Sequence, residues 1–554
     1  MVVMNARRVG VLLAAALLAG CTSAPAASTT TRPAGSASSS SARPADLPAA
    51  IGDVMDKTLY AQATWSLLVT DVDTGESLYA LNPDVMSFTG STRKLFSVGA
   101  ALDQLGADAR QPTPVYRQGT VDDSGLLTGN LVLVGGGDLA FGGRRIDANT
   151  VQYTDFDHND ANGLGTAILT PQDPLFAVDD LARQVRAAGI TSVSGDVVVD
   201  DRLFQPYRVP NGNLLVTPVM LNENQVDVTV TPGDAGGPAT VAYRPETAAL
   251  TVDGSVITGA AGSAATVQLS AGNRPDCIGT PGCTAAVTGS IPAGYTAPLS
   301  GEPSFVGTFR IERPNDFVRT AFIQALGRAG VAISAPAVAV NPTSKLSSSV
   351  RPGTYPTEDR LAEYESAPFA QTAQLTLKVS LNLGANLSVS LLGLTRNRTT
   401  IDGALAAERQ ILTSQYGVDG AQFDFPTNGS GTPDSRATPR ALVQMLTAMS
   451  KSDVATQYRQ ALPVLGVDGS LATVGQGLPA QGQVFAKPGT TILSDDAGLI
   501  LKAQNLAGYI RTASGRTVAY ALMVNDVGTI PAVSAVSEVF ADEAAISNAI
   551  YEAL

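Results

Sequence analysis

A chain of 554 residues with 36 basic against 49 acidic residues carries a formal charge of −13, which argues against nucleic acid or an anionic surface as a partner. It holds one histidine, His158, and three cysteines, so a histidine-rich metal site cannot be built and a Ser-His-Asp triad would have to use that single imidazole. Lysine is also scarce, seven against 29 arginines; arginine keeps its proton whereas a desolvated lysine can lose it, so each lysine is a candidate for chemistry.

Residues 1–21, MVVMNARRVGVLLAAALLAGC, begin with Arg7 and Arg8 and continue as an apolar run too short for a membrane helix. The pattern is that of an export signal. Its end, Leu18-Ala19-Gly20-Cys21, resembles a bacterial lipobox, which implies cleavage before Cys21 and a diacylglycerol on its sulfur; an ordinary secretory signal is the alternative. Residues 22–48 are mostly Ser, Thr, Ala and Pro and read as a flexible tether. No later segment is long and apolar enough to span a bilayer.

The first folded stretch, ATWSLLVTDVDTGESLYALNPD, places two β-type runs around Asp73-Thr74-Gly75, a hairpin signal. FTGSTRKLFSVGAALDQLG, residues 88–106, then predicts an apolar helix ending at Gly106. Of the seven lysines only Lys94 has a serine three residues before it, Ser91. Positions i and i+3 share a helix face. The free N–H groups and dipole of a first turn stabilise a developing oxyanion on Ser91 and favour a neutral amine on Lys94. Such an amine can take the hydroxyl proton without a histidine. A capping serine followed by a solvated lysine is the plain alternative.

From 118 to 345 the texture changes. GNLVLVGGGDLAF, VSGDVVVDDRLF and NENQVDVTVTPG are strand-like runs between Gly and Asp turns, with one helix, LFAVDDLARQVRAAG. In DCIGTPGC, Cys277 and Cys283 flank a Gly-Pro turn and predict a local disulfide outside the cytoplasm. Helices return between 365 and 450, where ATPRALVQMLTAM has Thr438 at an N-cap and Pro439 at the first helical position. In LTLKVSLNLGANLSVSLL, a loop entering a helix, Ser380 and Asn382 can face one cleft; asparagine holds an amide and serine passes a proton. Ordinary turn residues fit the same pattern. GQVFAKPGTTILSDDAGLI reads as an edge strand presenting Lys487 to a carboxylate and Gly489 where a substrate backbone approaches, or as a surface turn. A second hairpin turns at Ser514-Gly515, and a helix runs from about Ala532 to the end. A hairpin alone is marginal, so one sheet built from both chain ends is the simplest arrangement.

Ser-x-x-Lys at 91–94, Ser-x-Asn at 380–382 and Lys-x-Gly-Thr at 487–490 together resemble the penicillin-recognising serine peptidases. The long insert after the first motif narrows the resemblance to the class C low-molecular-mass penicillin-binding proteins, the D-alanyl-D-alanine carboxypeptidase/endopeptidase family (S13). VGGGD at 134–138, VSGDVVVDD at 193–201, NENQVDVTVTPG at 222–233, NGSG at 428–431 and LPVLGVDGSLATV at 462–474 support it. The resemblance implies an α/β (α+β) fold: a β-lactamase/transpeptidase-like domain of 49–117 and 346–554, with mainly β accessory domains, 118–345, inserted after the Ser-x-x-Lys helix.

The resemblance further implies an acyl-enzyme on Ser91 with Lys94 as base, Ser380 returning a proton, Asn382 holding the substrate amide, and Lys487 with Thr490 binding the terminal carboxylate. The N–H groups of Ser91 and Thr490 would hold the oxyanion. Partners are peptidoglycan peptides ending in D-Ala-D-Ala, β-lactams, and the outer face of the cell membrane through a lipid on Cys21; no metal and no cofactor are implied. Three positions depart from the family: Leu381 and Asn428 where Asp is usual, and Pro488 where Thr is usual. Proline removes one N–H from the strand, so the expectation is a slow but competent site that Pro488→Thr accelerates. The rival readings are a β-lactamase on the same core and a non-catalytic wall-binding lipoprotein.

Overall fold

In the computed structural model the described residues are 47–158, 161, 165–210, 215–298, 300–348, 354–495, 498–531 and 535–554. The leader, Cys21 and all but the last two tether residues lie outside them. The chain divides into two compact units, one of residues up to Gly99, Pro210–Asn213 and Arg409–Leu554, the other of Ala100–Val209 and Leu214–Glu408.

The first unit opens with a short helix α1 (Ala49–Met55) and the hairpin β1 (Thr64–Asp71) and β2 (Ser77–Leu81), closed by Asp71 Oδ1, which accepts from the Asp73 and Thr74 amides. A 3₁₀ turn, Gly90–Arg93, then leads into α2 (Lys94–Leu105). Gly106, at φ +92°, ends that helix, a conformation that only glycine adopts without strain.

The second unit carries β3 (Pro112–Val121), β4 (Leu126–Val134), helix α3 (Phe176–Ala187), β5 (Ser192–Val193) and β6 (Val197–Asp200). β5 and β6 both run parallel to β4. β7 (Gln225–Thr231) lies between β8 (Thr240–Arg244) and, further on, β11 (Phe305–Arg310), while β9 (Thr251–Gly259) pairs in parallel with β10 (Thr284–Pro292). Helix α4 (Pro314–Arg328) packs with α3, and their apolar faces join one core with the strands. Cys277 and Cys283 form a disulfide with a Cα–Cα separation of 5.3 Å. Strand β12 (Arg360–Glu365) pairs with β3, and helices α5 (Phe369–Lys378) and α6 (Asn382–Leu394) follow. Grouped by the sequence with the peptidase domain, 346–408 belongs to this unit: β12 completes its sheet, and Leu391 of α6 closes on Gly137, where an added Cβ would lie 2.9 Å away.

The first unit resumes with α7 (Pro439–Met449), whose Thr438 side chain accepts from the Ala441 N–H and whose first residue is proline, as the capping pattern predicts. It ends with β13 (Val484–Asp495), β14 (Gly498–Arg511), β15 (Thr517–Ile530) and α8 (Val536–Ala553). The sheet order is β2-β1-β15-β14-β13, antiparallel throughout, so both ends of the sequence meet at the β1–β15 pairing. β15 is buried without a break from Val518 to Asn525, because helices cover both sheet faces. On one face α1 and α8 pack against Leu67, Leu506 and Leu522, with Val539, Phe540, Ile546 and Ile550 contributing from α8. Each such side chain stabilises the fold by roughly 1.5–3 kcal/mol. On the other face α7 lies across β15, β14 and β1. Among the described residues no helix is long and apolar enough to cross a membrane.

His158, set among polar neighbours in DFDHNDANG, is buried in the second unit. Its Nδ1 meets Asp227 Oδ1 at 2.8 Å and its Nε2 meets Glu223 Oε2 at 3.1 Å. Arg144 grips Asp157 through two bonds of 2.7 Å and also donates to Glu223. Asp157, His158 and Glu223 have metal-ligand spacing, but the guanidinium and the imidazolium already supply the positive charge there. Burial alone would push the imidazolium down, yet the charges of Asp227 and Glu223 outweigh it and raise the group to about 10. This folded value lies above the ordinary 6.5, so the stabilisation is complete below about 6.5 and is lost as pH rises through about 10. The melting-temperature advantage of the wild type over His158→Gln is therefore expected to shrink steadily between those limits. An advantage that grows with pH would contradict the charged network.

Candidate active site

Ser91 sits in the 3₁₀ turn that precedes α2, and Lys94 is the first residue of the α-helix. Lys94 is fully buried; its Nζ donates to Ser91 Oγ at 2.7 Å and lies 3.4 Å from the Ser430 carbonyl. The serine hydroxyl is thus held by a group that can accept its proton after losing its own.

The NGSG segment supplies that carbonyl through a folded loop. Asn428, fully buried, accepts through Oδ1 from the amides of Ser430 (2.8 Å) and Gly431 (2.7 Å) and from Ser430 Oγ (3.0 Å). An aspartate at 428 could accept the same three bonds, so asparagine keeps the loop without a buried charge. Ser97 Oγ donates to the Gly429 carbonyl at 2.7 Å, tying α2 to the loop. Gly431 is at φ +122°, and a Cβ there would fall 1.9 Å from the Gly90 carbonyl.

The third motif lies on β13, the edge strand of the sheet, as expected. Lys487 is fully buried, and its Nζ donates to the Pro488 carbonyl at 3.0 Å. Gly489 opposes Asn505 in register, and Asn505 Nδ2 donates to the carbonyls of Phe88 (2.8 Å) and Thr89 (2.9 Å). Opposed residues share a sheet face, so Lys487 and Gly489 face the Ser91 turn. A Cβ on Gly489 would lie 2.3 Å from the Thr89 carbonyl, 2.6 Å from the Thr92 nitrogen and 3.0 Å from the Ser91 nitrogen. The side on which a Gly489 Cβ would lie is therefore filled by the protein's own turn.

Alternation along β13 fixes where each amide points. Ala486 donates its N–H to Pro463, on the side away from β14. The register runs unbroken to Thr491, so the nitrogens of Pro488 and Thr490 point to that same outer side. Pro488 thus costs the β13–β14 ladder no hydrogen bond. The Thr490 amide faces the Ser91 turn, where a Cβ on Gly90 would fall 2.5 Å from it. The amides of Ser91 and Thr490 thus border the same glycine contact. The Thr490 side chain takes the other face: it opposes Gln504, and its Oγ1 donates to Gln504 Oε1 at 2.6 Å. Thr491 shares the lysine's face, its hydroxyl 3.2 Å from that of Thr432.

Ser380 and Asn382 belong to the second unit. Lys378 ends α5, Ser380 takes the left-handed conformation at φ +61°, and Asn382 begins α6. That turn is held by the Leu381 amide on the Thr376 carbonyl (2.9 Å) and by Asn386 Nδ2 on the Asn382 carbonyl (2.8 Å). Leu381, where the resemblance expects aspartate, is buried at 2% exposure. A non-glycine residue at positive φ is uncommon and marks Ser380 as a position set by something other than local preference.

Sequence reasoning missed Gly90, Gly431, Asn505 and the Ser430 carbonyl. The paired glycines of NGSG were a signal for close backbone approach; Asn505, inside a strand, gave none.

Gly489→Ala is expected to slow acylation by a labelled penicillin about a hundredfold, since backbone atoms of the Ser91 turn must move; an unchanged rate would remove the close-approach account. Pro488→Thr, in contrast, is expected to give no gain in that rate, and a clear acceleration would show that the proline displaces the strand.

The model of the D-Ala-D-Ala carboxypeptidase 3 (S13) family matches residues 47–541. A D-alanyl-D-alanine carboxypeptidase of Actinomadura sp. (strain R39) is 27% identical over 474 residues, covering 81% of this chain and 77% of that protein. Among solved structures, penicillin binding protein 4 from Haemophilus influenzae superposes with a TM-score of 0.63 at 18% identity, covering 90% of this chain and 98% of its own. The same Haemophilus protein in complex with a β-lactam gives a TM-score of 0.61 at 18% identity, with coverages of 91% and 99%. With that model spanning nearly the whole folded chain, the protein belongs to the D-Ala-D-Ala carboxypeptidase 3 (S13) family and is a serine-type hydrolase.

Proposed function

We propose that Ser91 is the nucleophile of a D-Ala-D-Ala carboxypeptidase and endopeptidase acting on peptidoglycan stem peptides. The observation that carries this reading is the 2.7 Å hydrogen bond between Lys94 Nζ and Ser91 Oγ, in a chain whose only histidine is committed to an ion network elsewhere. Lys94, as a neutral amine, takes the hydroxyl proton while Ser91 Oγ bonds to the carbonyl carbon of the penultimate D-Ala. The carbonyl oxygen becomes an oxyanion facing the amides of Ser91 and Thr490. Collapse breaks the C–N bond; the leaving amine receives a proton through Ser380, with Asn382 holding the substrate amide and Lys487 attracting the terminal carboxylate. Water then attacks the acyl-enzyme, Lys94 accepts its proton, and Ser91 is regenerated. A β-lactam offers the same carbonyl with a leaving nitrogen that stays tethered, so it acylates Ser91 and departs slowly.

We also propose that residues 1–21 are a lipoprotein signal and that a lipid on Cys21 anchors the exported protein at the outer face of the cell membrane. The lipobox-like end and the Ser/Thr/Ala/Pro stretch that follows support this. A single acyl chain binds a membrane only marginally, whereas two acyl chains hold it stably.

Ser91→Ala is expected to abolish covalent penicillin labelling with the melting temperature unchanged; a purified mutant that still labels would place the nucleophile elsewhere. Lys94→Arg is expected to lose labelling at least a hundredfold at neutral pH, because a guanidinium cannot act as a base. Cys21→Ser is expected to move the protein from the membrane fraction to the soluble one, and an unchanged distribution would remove the anchor.

A further inference from the structure

Behind Thr490 a short polar chain runs into the core. Thr490, half-buried, donates through Oγ1 to Gln504 Oε1 at 2.6 Å; Gln504, fully buried on β14, donates through Nε2 to Glu543 Oε2 at 3.1 Å. Glu543 lies on α8, fully buried beside the apolar cluster of that helix, and its Oε1 has no hydrogen-bond partner. Its neighbour in sequence, Asp542, accepts from Lys57 and Tyr60, and Ser547 Oγ, which donates to the Glu543 carbonyl, meets Tyr520. Burial, reinforced by the Asp542 charge, raises the Glu543 carboxyl well above its usual 4.5, which favours the protonated form, an acid with a proton to donate.

That proton sets the polarity of the chain. A hydroxyl has one proton. While Thr490 spends it on Gln504 Oε1, the oxygen can offer an anion only lone pairs. A terminal amide exchanges its two ends by a half-turn that leaves the other atoms in place. With the amide reversed, the Glu543 O–H donates to Gln504 Oε1, Gln504 Nε2 donates to Thr490 Oγ1, and the threonine proton is released outward. The reversed chain also gives the buried acid proton an acceptor, which the other polarity denies it.

We propose that Glu543 is a positioning residue for substrate binding, a neutral acid that through Gln504 turns the Thr490 hydroxyl into a donor for the terminal carboxylate of the peptide. This rests on the reading of Ser91 as nucleophile and of β13 as the strand that receives that carboxylate. The role differs from that of Lys487, which offers charge from the opposite face; Thr490 offers one directed proton whose availability is decided about two side chains away.

The test compares two acylating agents, benzylpenicillin and its methyl ester, which differ in the carboxylate alone. The second-order rate of Ser91 acylation is measured for the wild type, Glu543→Gln, Glu543→Leu and Gln504→Met. Glu543→Leu and Gln504→Met are expected to slow benzylpenicillin roughly 10- to 100-fold, the loss of one hydrogen bond to a charged group, and to leave the ester rate unchanged. Glu543→Gln keeps an N–H donor at the same place and is expected to restore the preference for the acid. Equal losses with acid and ester would make Glu543 merely structural and overturn the proposal, as would a Gln variant as slow as Leu or no loss in any variant. Absence of an ester adduct on Ser91 in the wild type would instead refute the nucleophile assignment, so the two failures are distinct.

Discussion

The site depends on backbone meeting backbone where no side chain fits. Gly489 on the edge strand presses on the Thr89–Thr92 turn, Gly90 presses back on Thr490, and Gly431 closes on the Gly90 carbonyl. Each contact is tighter than any Cβ allows, and each is made to main-chain atoms that cannot swing aside. The consequence is a serine whose amide borders Gly489 and whose hydroxyl meets Lys94, with the lysine itself lodged under the Ser430 carbonyl. Catalysis by a Ser–Lys pair needs this rigidity, since a misplacement of about 1 Å costs roughly a hundredfold.

The sheet holds that contact in place by joining the two ends of the chain. β1 arrives before the Ser91 turn and β15 arrives more than four hundred residues later, yet they are paired over the full length of β1. Asn505 and Asn525, on β14 and β15, fasten Phe88 and Thr89 directly ahead of the turn. Such long-range pairing is slow to form. It lets a long insertion leave from one end of α2 and return elsewhere without entering the sheet.

Much of this was legible in residue order. Asp73-Thr74-Gly75 and Ser514-Gly515 marked hairpins because turns need those residues, Thr438-Pro439 marked a helix start, and Ser91-Lys94 stood out because lysine is rare here. The missing information was long-range. Which face Thr490 presents is decided by strand register, not by its neighbours; Pro488 costs the ladder no hydrogen bond because its nitrogen points off the sheet, which only the Ala486–Pro463 bond reveals. His158 reads as polar because its sequence neighbours are polar, while its partners Glu223 and Asp227 lie far along the chain. The segment 346–408 joins the second unit through pairing with β3, a contact that composition does not record.

The central claim is that the amides of Ser91 and Thr490 receive the oxygen that develops charge on a carbonyl attacked by Ser91. A crystal structure of the penicilloyl adduct measures this directly. The account predicts an ester on Ser91 Oγ whose carbonyl oxygen lies about 2.7–3.1 Å from both nitrogens. An adduct on another residue, or an ester oxygen turned away from the Thr490 amide, would contradict it.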